Sequence, residues 1–469
     1  MYSDETDFSN KRVTIIGAAR EGTALARFLC AQDAHVTLSD IRSEDALADH
    51  LASVKGLPAA LVLGGHPESI LQTDVVFVSP GVPLEIPILR EAVRRGLPLS
   101  SETRLFFRLC PAPIIGITGS SGKTTTSAMA GEMLQESGYR TWVGGNIGQP
   151  LIDCLREIQP GDKVVMELSS FQLEMLGASP QIAAVLNITP NHLDRHPDME
   201  SYTAAKREII AHQGTADAAV LGYDNDAARS LASECRGRVA FFSRKEVLPF
   251  GSYVKSGVVM LHVDGDEEPV CPRSQLRLRG DHNLENILAA ALIARLAGGS
   301  LEGIAKVCRA FAGVEHRLEH VATVRGAAFY DDSIATTPER AVAALRAFTE
   351  PIILLAGGRD KHLPWEEMAD LTVQRVRHLV LFGEAAGLIG AAVESARARA
   401  AGRGALQEVY TVGRLEEAVE TAARLAQAGD VVLLSPGGTS FDAFRDFAGR
   451  GARFKELVHR LASHSQSAG

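Results

Sequence analysis

The stretch IIGITGSSGKTTT, Ile114 to Thr126, decides the fold of this chain, because an apolar run enters a glycine-rich turn followed by a lysine and threonines. Backbone N–H groups in such a turn converge on phosphate oxygens, and the following helix presents the positive end of its dipole. The segment therefore predicts a strand, a phosphate-binding loop and a helix. The predicted phosphate-binding residues are Gly119, Ser120, Ser121, Gly122, Lys123, Thr124 and Thr125.

Two side chains of this segment are suited to binding a phosphate and a metal ion. Lys123 supplies a full positive charge to a phosphate group, and the hydroxyl of Thr124 is a ligand for Mg²⁺. The alternative is a glycine turn without any ligand. The order of strand, glycines, lysine, threonine and helix favours a nucleotide site.

Composition limits the possible partners of the chain. Its 469 residues are enough for roughly three domains, and 46% hydrophobic with 22% charged residues is typical of a soluble globular protein. No apolar run is long enough for a membrane span and the start MYSDETDFSN is acidic, so we expect a cytoplasmic protein. A net charge of -9 without a basic run argues against nucleic acid, and the six scattered cysteines form no metal-binding pair.

Apolar strand runs alternate with helical stretches along the whole chain, a pattern that predicts parallel sheets covered by helices. Three such regions follow one another, and the predicted fold class is α/β with three domains. Their predicted bounds are residues 1–108, 109–313 and 314–469. Ligands of such sheets lie beyond the carboxyl ends of the strands, so the loops after the strands are the candidate sites.

The first region contains a second glycine turn, Gly17 to Gly22, after the strand RVTII. With Asp40 at the end of the next strand it approximates a dinucleotide fingerprint, although Ala19 stands where that fingerprint has its middle glycine. Three interpretations stay open: a structural turn without a ligand, an NAD or FAD site, and a crevice for a nucleotide-bearing substrate. Ser79, at another strand end, would line the same crevice.

Downstream of the phosphate loop, polar residues at strand ends suggest a phosphoryl-transfer centre. Glu167 ends the strand KVVME, where its carboxylate can share Mg²⁺ with Thr124. The next strand leads into a loop with Asn191, His192 and Asp194. A strand-end glutamate in an ion pair and a loop histidine with an ordinary hydrogen bond are the alternatives.

Lys206 follows on a predicted helix over residues 200–212, and its spacing alone does not single it out from a solvated lysine. No Ser/His/Asp or Cys/His arrangement stands out, so covalent catalysis by a protein nucleophile is unsupported. The residues instead favour positioning and charge neutralisation around a γ-phosphate.

Ten motifs, in chain order, resemble those of the Mur ligases of peptidoglycan synthesis. They are GITGSSGKTTT, GGNIG, ELSSFQLE, NITPNHLDRH, YTAAK, GDHNLEN, EHRLE, DDSIATTPE, GGRDK and LLSP. The resemblance covers nearly the whole chain. It implies a Rossmann-like N-terminal domain for a UDP-substrate, a central P-loop-type mononucleotide-binding ATPase domain, and a Rossmann-like C-terminal domain for an amino acid.

The ELSSFQLE form and the first domain are most similar to the members that add D-glutamate to UDP-N-acetylmuramoyl-L-alanine (UDP-MurNAc-L-Ala). That resemblance implies a ligase that uses ATP and two Mg²⁺ ions, and we expect it to be a cytoplasmic monomer. In such a reaction the substrate carboxylate attacks the γ-phosphate of ATP to form an acyl phosphate, and the amine of glutamate then displaces phosphate.

The resemblance also assigns residues of this chain to roles. The catalytic residues are Lys123, Glu167, His192 and Lys206. The metal ligands are Thr124, Glu167, His192 and a carbamylated Lys206. Beyond the loop, the ATP contacts are Asn283, Asn286, Arg317 and Asp332. The substrate contacts are Asp40, Arg42, Ser79, Asn146, His192, Thr336, Lys361, Ser440 and Phe447.

Two departures from the family pattern lie in the third domain. Ile334 stands where a lysine is usual, and the last strand continues as Ser435-Pro436-Gly437-Gly438. The choice between D- and L-glutamate therefore stays open at this point. So do a related Mur-type or folylpolyglutamate-type ligase, a nicotinamide-dependent oxidoreductase and a non-catalytic nucleotide-binding regulator.

Overall fold

The structure is a computed structural model that describes residues 5–146, 148–190, 196–263, 265–278, 280–361 and 363–467. It divides into two compact units, Met1–Phe311 and Ala312–Gly469. The first unit contains two sheets and the second unit contains one. The predicted bounds of three domains therefore stay a prediction, since the first two predicted domains form one compact unit.

The amino-terminal sheet has five parallel strands in the order β3-β2-β1-β4-β5. The chain order reverses at β1 and β4, and the crevice beyond such a reversal is where open α/β sheets bind ligands. Its elements are β1 (Arg12–Ile16), α1 (Arg20–Cys30), β2 (His35–Asp40), α2 (Glu44–Leu51), β3 (Ala59–Leu63), β4 (Val75–Val78), α3 (Pro87–Arg94), β5 (Leu99–Ser100) and α4 (Glu102–Leu109).

The central sheet has nine strands in the order β14-β13-β12-β11-β10-β9-β6-β8-β7. Its first reversal of chain order falls at β6, the strand that leads into the predicted phosphate loop. The elements are β6 (Ile114–Thr118), α5 (Lys123–Glu136), β7 (Thr141–Gly145), β8 (Lys163–Glu167), α6 (Ser170–Glu174), β9 (Ile182–Val185), α7 (Met199–Ala211), β10 (Ala218–Gly222), α8 (Asp226–Ser230), β11 (Arg238–Ser243), β12 (Gly251–Lys255), β13 (Val258–His262), β14 (Glu267–Pro272), α9 (Asp281–Leu296) and α10 (Leu301–Ala310).

The carboxyl-terminal unit has a six-stranded sheet in the order β15-β16-β20-β17-β18-β19. The loops after β16, β17 and β20 leave from the same edge, because these neighbouring strands are parallel. The elements are β15 (Glu319–Val324), β16 (Ala327–Asp331), α11 (Pro338–Arg346), β17 (Ile352–Gly357), α12 (Glu366–Arg375), β18 (Val376–Phe382), α13 (Ala386–Ala400), β19 (Glu408–Thr411), α14 (Leu415–Leu425), β20 (Val431–Gly437) and α15 (Phe447–Ser467).

The predicted α/β class is confirmed, and the apolar runs form the central strands of each sheet. β1, β6 and β17 are almost entirely buried, as expected for strands covered by helices on both faces. The sequence predicted only parallel sheets. The structure also contains two antiparallel segments, β12-β13-β14 and the β15-β16 hairpin. Among the described residues, no helix combines the length and apolar character that a membrane crossing needs.

Candidate functional site

The phosphate loop has the predicted local structure, with β6 ending at Thr118 and α5 beginning at Lys123. Gly122 has φ +83°, and a Cβ at this position would lie 2.2 Å from Oδ1 of Asn286. The first helical hydrogen bond runs from the N–H of Thr126 to Gly122 O, so the preceding N–H groups are not used by the helix itself. The loop needs glycine here because both the backbone conformation and the space exclude a side chain.

Asn187, which follows β9, holds one side of this loop. Its carbonyl and side-chain oxygens accept hydrogen bonds from the N–H groups of Ser120 and Ser121, both at 2.9 Å. Sequence reasoning treated these two N–H groups as phosphate donors, whereas they are bonded within the protein. The positive end of α5 therefore supplies the remaining donors of the predicted phosphate site.

A carboxylate and a hydroxyl meet at the start of α5, as predicted for a Mg²⁺ site. Thr124 Oγ1 donates to Glu167 Oε2 at 2.7 Å, and Asn146 Nδ2 donates to Glu167 Oε1 at 2.9 Å. Glu167 is buried at the end of β8. Hard oxygen atoms of this kind are what Mg²⁺ prefers, so the donor set fits that ion. The roles of both residues as metal ligands stay a prediction.

Two lysines converge on the phosphate loop. Lys123 Nζ donates to Gly119 O at 2.9 Å, and Lys206 Nζ donates to the same carbonyl oxygen at 3.0 Å. Lys206 is 1% exposed and lies 4.6 Å from the ring centre of Tyr202. Burial, followed by the charge of Lys123, lowers the pKa of Lys206 to about 7, although Glu167 acts in the opposite direction. The tertiary structure thus selects a lysine that sequence spacing could not distinguish.

The loop with Asn191, His192 and Asp194 lies outside the described residues, so the assignments of His192 stay predictions. Directly after it, His196 is buried and its Nε2 lies 2.9 Å from Ser170 Oγ. Its ring stacks on Phe171 with 5.3 Å between the ring centres. Sequence reasoning assigned no role to His196, and only these contacts show that it packs against α6.

The predicted adenine-side residues Asn283 and Asn286 lie on α9, which packs against α5. Asn286 is buried, and its Oδ1 accepts from Thr126 Oγ1 at 3.4 Å. Its Nδ2 donates to Asn283 Oδ1 at 3.4 Å. Both asparagines are therefore close to the phosphate loop, although their contact with adenine stays a prediction.

A cavity of about 830 Å³ lies beyond the carboxyl ends of β1 and β4. The predicted substrate residues that line it are Asp40, Arg42, Ser79 and Asn146. Further lining residues, which sequence reasoning did not single out, are Arg20, Glu21, His66 and Phe171. The cavity confirms that the glycine turn and Ser79 face one crevice.

Asp40 and Arg42 form the charged pair of this cavity. The Arg42 guanidinium donates to both Asp40 oxygens at 3.0 and 2.8 Å, and Ala18 N–H also donates at 2.8 Å. Burial raises the pKa of Asp40, but these hydrogen bonds outweigh burial and lower it to about 2. Asp40 thus remains an anion that holds Arg42 at the cavity.

In the carboxyl-terminal unit, a fully buried arginine ties two loops together. Arg450 donates to the carbonyl oxygens of Ser333, Gly438 and Thr439 and to Ser333 Oγ, at 2.9 to 3.2 Å. Ser333 Oγ in turn donates to Phe447 O at 2.8 Å. Sequence reasoning missed Arg450, because an arginine on a helix carries no local signal of such burial.

The predicted amino-acid residues of this unit surround the same loops. Ser440 is buried after β20, Thr336 precedes α11, and Phe447 begins α15. Lys361 follows β17, and its pKa is lowered first by partial desolvation and then by the charges of Arg340 and Arg450. A concentration of cations at one sheet edge is suited to carboxylates. Direct contacts with an amino acid stay a prediction.

Two predicted ATP contacts also belong to this unit. Arg317 is exposed in the segment before β15. Asp332 is buried, and its carboxylate accepts hydrogen bonds from Ser435 Oγ at 2.7 Å and from Leu318 N–H at 3.2 Å. Burial raises the pKa of Asp332 to about 7. Asp332, which follows β16, thus connects to β20 and to the segment before β15 within this unit, and its contact with ATP stays a prediction.

Three family models match the chain in order. Residues 11–101 match the Mur ligase MurD-like N-terminal domain, residues 117–294 the Mur ligase middle domain, and residues 316–438 the Mur ligase glutamate ligase domain. The chain therefore belongs to the Mur ligase family.

Full-length relatives indicate which kind of Mur ligase the chain is most similar to. The chain is 43% identical to a UDP-N-acetylmuramoylalanine--D-glutamate ligase of Pelotomaculum thermopropionicum, over 97% of this chain and 99% of the relative. It is 41% identical to the ligase of the same name from Acetivibrio thermocellus, over 96% and 97% of the two chains. Both relatives are named as ligases, which gives no support to the oxidoreductase interpretation.

Solved structures share the fold. A UDP-N-acetylmuramate-alanine ligase from Thermotoga maritima superimposes with a TM-score of 0.55 at 18% identity, covering 96% of this chain and all of that one. A murein peptide ligase from Psychrobacter arcticus gives a TM-score of 0.53 at 16% identity, covering 97% and 99%. At this identity the likeness establishes the fold, and it confirms the three-domain α/β architecture.

Proposed function

We propose that this protein is an ATP-dependent ligase that joins D-glutamate to UDP-MurNAc-L-Ala and releases ADP and phosphate. The observation that carries this proposal is the position of Asn146. It lines the cavity of about 830 Å³ beyond β1 and β4, here called the nucleotide cavity, and it also donates to Glu167 beside the phosphate loop. A substrate held in the cavity by its nucleotide end thus has a route along Asn146 to the phosphate loop. Full-length relatives named for this reaction support the choice of substrate.

The first chemical step brings together two anions, the substrate carboxylate and the γ-phosphate of ATP. Lys123 and the N-terminus of α5 offset that repulsion, and Glu167 with Thr124 would hold Mg²⁺, which neutralises further phosphate charge. A carboxylate oxygen attacks the γ-phosphorus and ADP leaves, giving an acyl phosphate. The amine of glutamate then attacks the acyl carbon, and a tetrahedral intermediate collapses to the amide and inorganic phosphate.

Lys206 has the properties of a lysine that can take up carbon dioxide. It is buried, and within the described part of the chain no carboxylate forms an ion pair with it. Its pKa of about 7 leaves a large fraction of the amine neutral and nucleophilic. Carbamylation would convert this cation into an anionic oxygen ligand for a second Mg²⁺, together with His192.

The carboxyl-terminal unit would bind the incoming amino acid. We assign its carboxylates to Lys361, Thr336, Ser440 and the start of α15 at Phe447. Thr336 and Ser440 lie on the loops that Arg450 orders, and Lys361 follows β17 at the same edge of the sheet. We also propose that the enzyme acts as a monomer in the cytoplasm, where ATP is present.

Phosphate release tests this function directly. Purified protein with ATP, Mg²⁺, UDP-MurNAc-L-Ala and D-glutamate is expected to release phosphate only when all four are present. Oxygen-18 placed in the substrate carboxyl group is expected to appear in the released phosphate. Phosphate without the label would rule out the acyl phosphate, and a panel of D- and L-amino acids tests whether Ile334 alters the choice of acceptor.

Lys123→Ala is expected to lower kcat by ~10²-fold or more, because Lys123 stabilises the charge of the transferring phosphoryl group. Stopped or coupled assays of phosphate release at saturating substrates measure this change. The matched control is Lys306→Ala, which removes an exposed lysine paired with Glu136 on the same domain. Equal rates for Lys123→Ala and the control would remove Lys123 from the mechanism.

A further inference from the structure

Two acidic side chains, Glu21 and Glu102, lie beside the nucleotide cavity. Glu102 is buried, whereas Glu21 is half-buried with its Oε2 atom buried. Glu21 belongs to the first turn of α1 and lines the large cavity, while Glu102 is the first residue of α4 and is 6% exposed. Both residues line one narrow cavity between β1, β4 and α1. Two carboxylates in a shared buried space cannot both ionise without a large electrostatic cost.

The side chain of Gln172 defines which oxygen of Glu21 can carry a proton. Ser169 donates to Gln172 Oε1 through both its N–H and its hydroxyl, at 3.0 Å each, which fixes the orientation of the amide. Gln172 Nε2 therefore faces Glu21 and donates to its Oε1 at 3.0 Å. The other oxygen, Oε2, is buried and has no hydrogen-bond partner within the described residues.

Within the part of the chain that the structure describes, no cation forms an ion pair with Glu21 or Glu102. Arg20, the neighbour of Glu21 on α1, directs its guanidinium to the carbonyl oxygens of Gly148 and Gly145 at 2.8 and 3.3 Å. Its charge lowers the pKa of both carboxyl groups, but less than burial raises them. Thr103 Oγ1 donates weakly to Glu102 at 3.4 Å, and Ile152 N–H also faces Glu102.

Two other acidic groups around these elements have partners of opposite charge. Asp153, which packs against α1, is paired with Arg27 at 2.6 Å, and Asp40 across the cavity is paired with Arg42. Burial lowers the pKa of His66, so it titrates below neutral pH. Between neutral and mildly alkaline pH, the acidic pair is therefore the group of this cavity whose charge changes.

We propose that Glu21 and Glu102 share one proton, and that this retained proton allows the cavity to accept the negatively charged diphosphate of the UDP-substrate. The proposal rests on the proposed function, because that function supplies the ligand. Glu21 thereby acts as a specificity-determining residue, and Glu102 is a positioning residue that keeps the proton in place. When the pair becomes a dianion, its second charge repels the diphosphate.

The direction of the titration follows from burial. Burial raises the pKa of Glu21 to about 7 and that of Glu102 to about 8, with the charge of Glu21 as the next cause for Glu102. The pair keeps its proton below this range and loses it as the pH rises through it. Substrate affinity should then fall on the alkaline side, and by linkage bound substrate should raise the pKa of the pair.

Calorimetric titration with UDP-MurNAc-L-Ala tests this inference without any catalysis. The diphosphate and carboxylate of this probe do not change charge between about pH 6.5 and about pH 8.5. For the wild-type protein we expect the Kd to rise ~10-fold over that range, which corresponds to about 1.4 kcal/mol. Repeating the titration at about pH 7.5 in buffers of different ionisation enthalpy should reveal net proton uptake on binding.

Glu21→Gln keeps the shape of the neutral acid, so we expect a Kd close to the wild-type value at the acidic end that no longer changes with pH. Glu85→Gln is the matched control, because it removes an exposed carboxylate of the same domain and should keep the wild-type dependence. Glu102→Gln should reduce the dependence, and it serves as the second variant if Glu21→Gln does not fold.

The possible outcomes distinguish a failure of the proton-sharing pair from a failure of the proposed function. A wild-type Kd that does not change with pH, binding without proton uptake, or a Glu21→Gln variant that keeps the wild-type dependence would overturn the proton-sharing pair. Absence of binding at every pH, in protein that is folded by circular dichroism, would instead overturn the proposed function.

Discussion

The phosphate loop and the loop cluster of the carboxyl-terminal unit are each built around one buried cation, but the two cations differ in chemistry. Lys206 and Arg450 are both fully buried and bond mainly to carbonyl oxygens rather than to carboxylates. Burial lowers both pKa values, to about 7 for Lys206 and to about 10 for Arg450. At neutral pH the lysine can therefore lose its proton, whereas the arginine keeps its charge.

This difference separates a chemical role from a structural one. An ammonium group with two acceptors in a dry site is easily neutralised, and it then becomes a nucleophile or a modified ligand. A guanidinium with several carbonyl partners holds its neighbours in fixed positions and takes no part in bond making. We therefore expect substitution of Lys206 to alter turnover and substitution of Arg450 to alter amino-acid binding.

The largest expected effect is that of Lys206→Met on kcat. Loss of this lysine should lower kcat by ~10²-fold or more, because the carbamate that would hold a second Mg²⁺ beside the phosphate loop can no longer form. The KM for UDP-MurNAc-L-Ala should change little, since the nucleotide cavity is intact. Steady-state phosphate release measures both constants, and Lys306→Met is the matched control.

Lys206→Arg tests whether activity needs a positive charge or a lysine that can form a carbamate. The arginine keeps a positive charge but cannot form a carbamate, so it should be as inactive as Lys206→Met. Wild-type turnover in Lys206→Arg would show that a cation at this position suffices. The proposed chemical role of Lys206 would then be wrong.

A smaller effect is expected for Arg450→Lys. Lysine cannot bond to Ser333, Gly438 and Thr439 together, so the loops after β16 and β20 lose part of their support. The KM for D-glutamate should rise ~10-fold, while the calorimetric Kd for UDP-MurNAc-L-Ala should remain unchanged. Arg460→Lys, an exposed position on the same helix, is the control, and equal KM values for both variants would contradict a positioning role of Arg450.

The smallest expected effect concerns stability against pH. The folded pKa of Lys206 is lowered relative to the unfolded chain, so the unfolded state binds more protons between about pH 7 and about pH 10. The free energy of unfolding should therefore gain up to ~1.4 kcal/mol per pH unit from this residue as the pH rises through that window.

Urea unfolding in bicarbonate-free buffer measures this slope. Lys206→Met should flatten it relative to the wild type, whereas Arg450→Lys should leave the part due to Lys206 in place. The same slope in Lys206→Met and wild type would mean that the amine is charged in the folded state.

The sequence predicted the features that depend on local residue patterns. The glycine turn before Lys123 requires a particular backbone conformation, and the structure shows why Gly122 admits no side chain. The strand-end position of Glu167 likewise follows from the alternation of strands and helices. Its carboxylate lies 2.7 Å from Thr124, the residue with which it is predicted to share Mg²⁺. These features depend on chain order and on the common geometry of parallel sheets.

The remaining features depend on contacts between distant segments. Lys206, Gln172 and Arg450 lie on helices whose sequence patterns do not distinguish them from solvated residues. The antiparallel strands β12 to β14 are also short and amphipathic, so no single run in the sequence sets their direction.

The sequence by itself determined the α/β class, the phosphate loop and membership of the ligase family, because glycine turns, strand ends and motif order are local properties of the chain. Only the tertiary structure decided which ionisable groups lose contact with water or come to lie side by side, namely Lys206 under the phosphate loop, Arg450 between two loops and Glu21 beside Glu102. Burial and like-charge proximity set the protonation of these groups, and both arise only when segments far apart in the chain pack against one another.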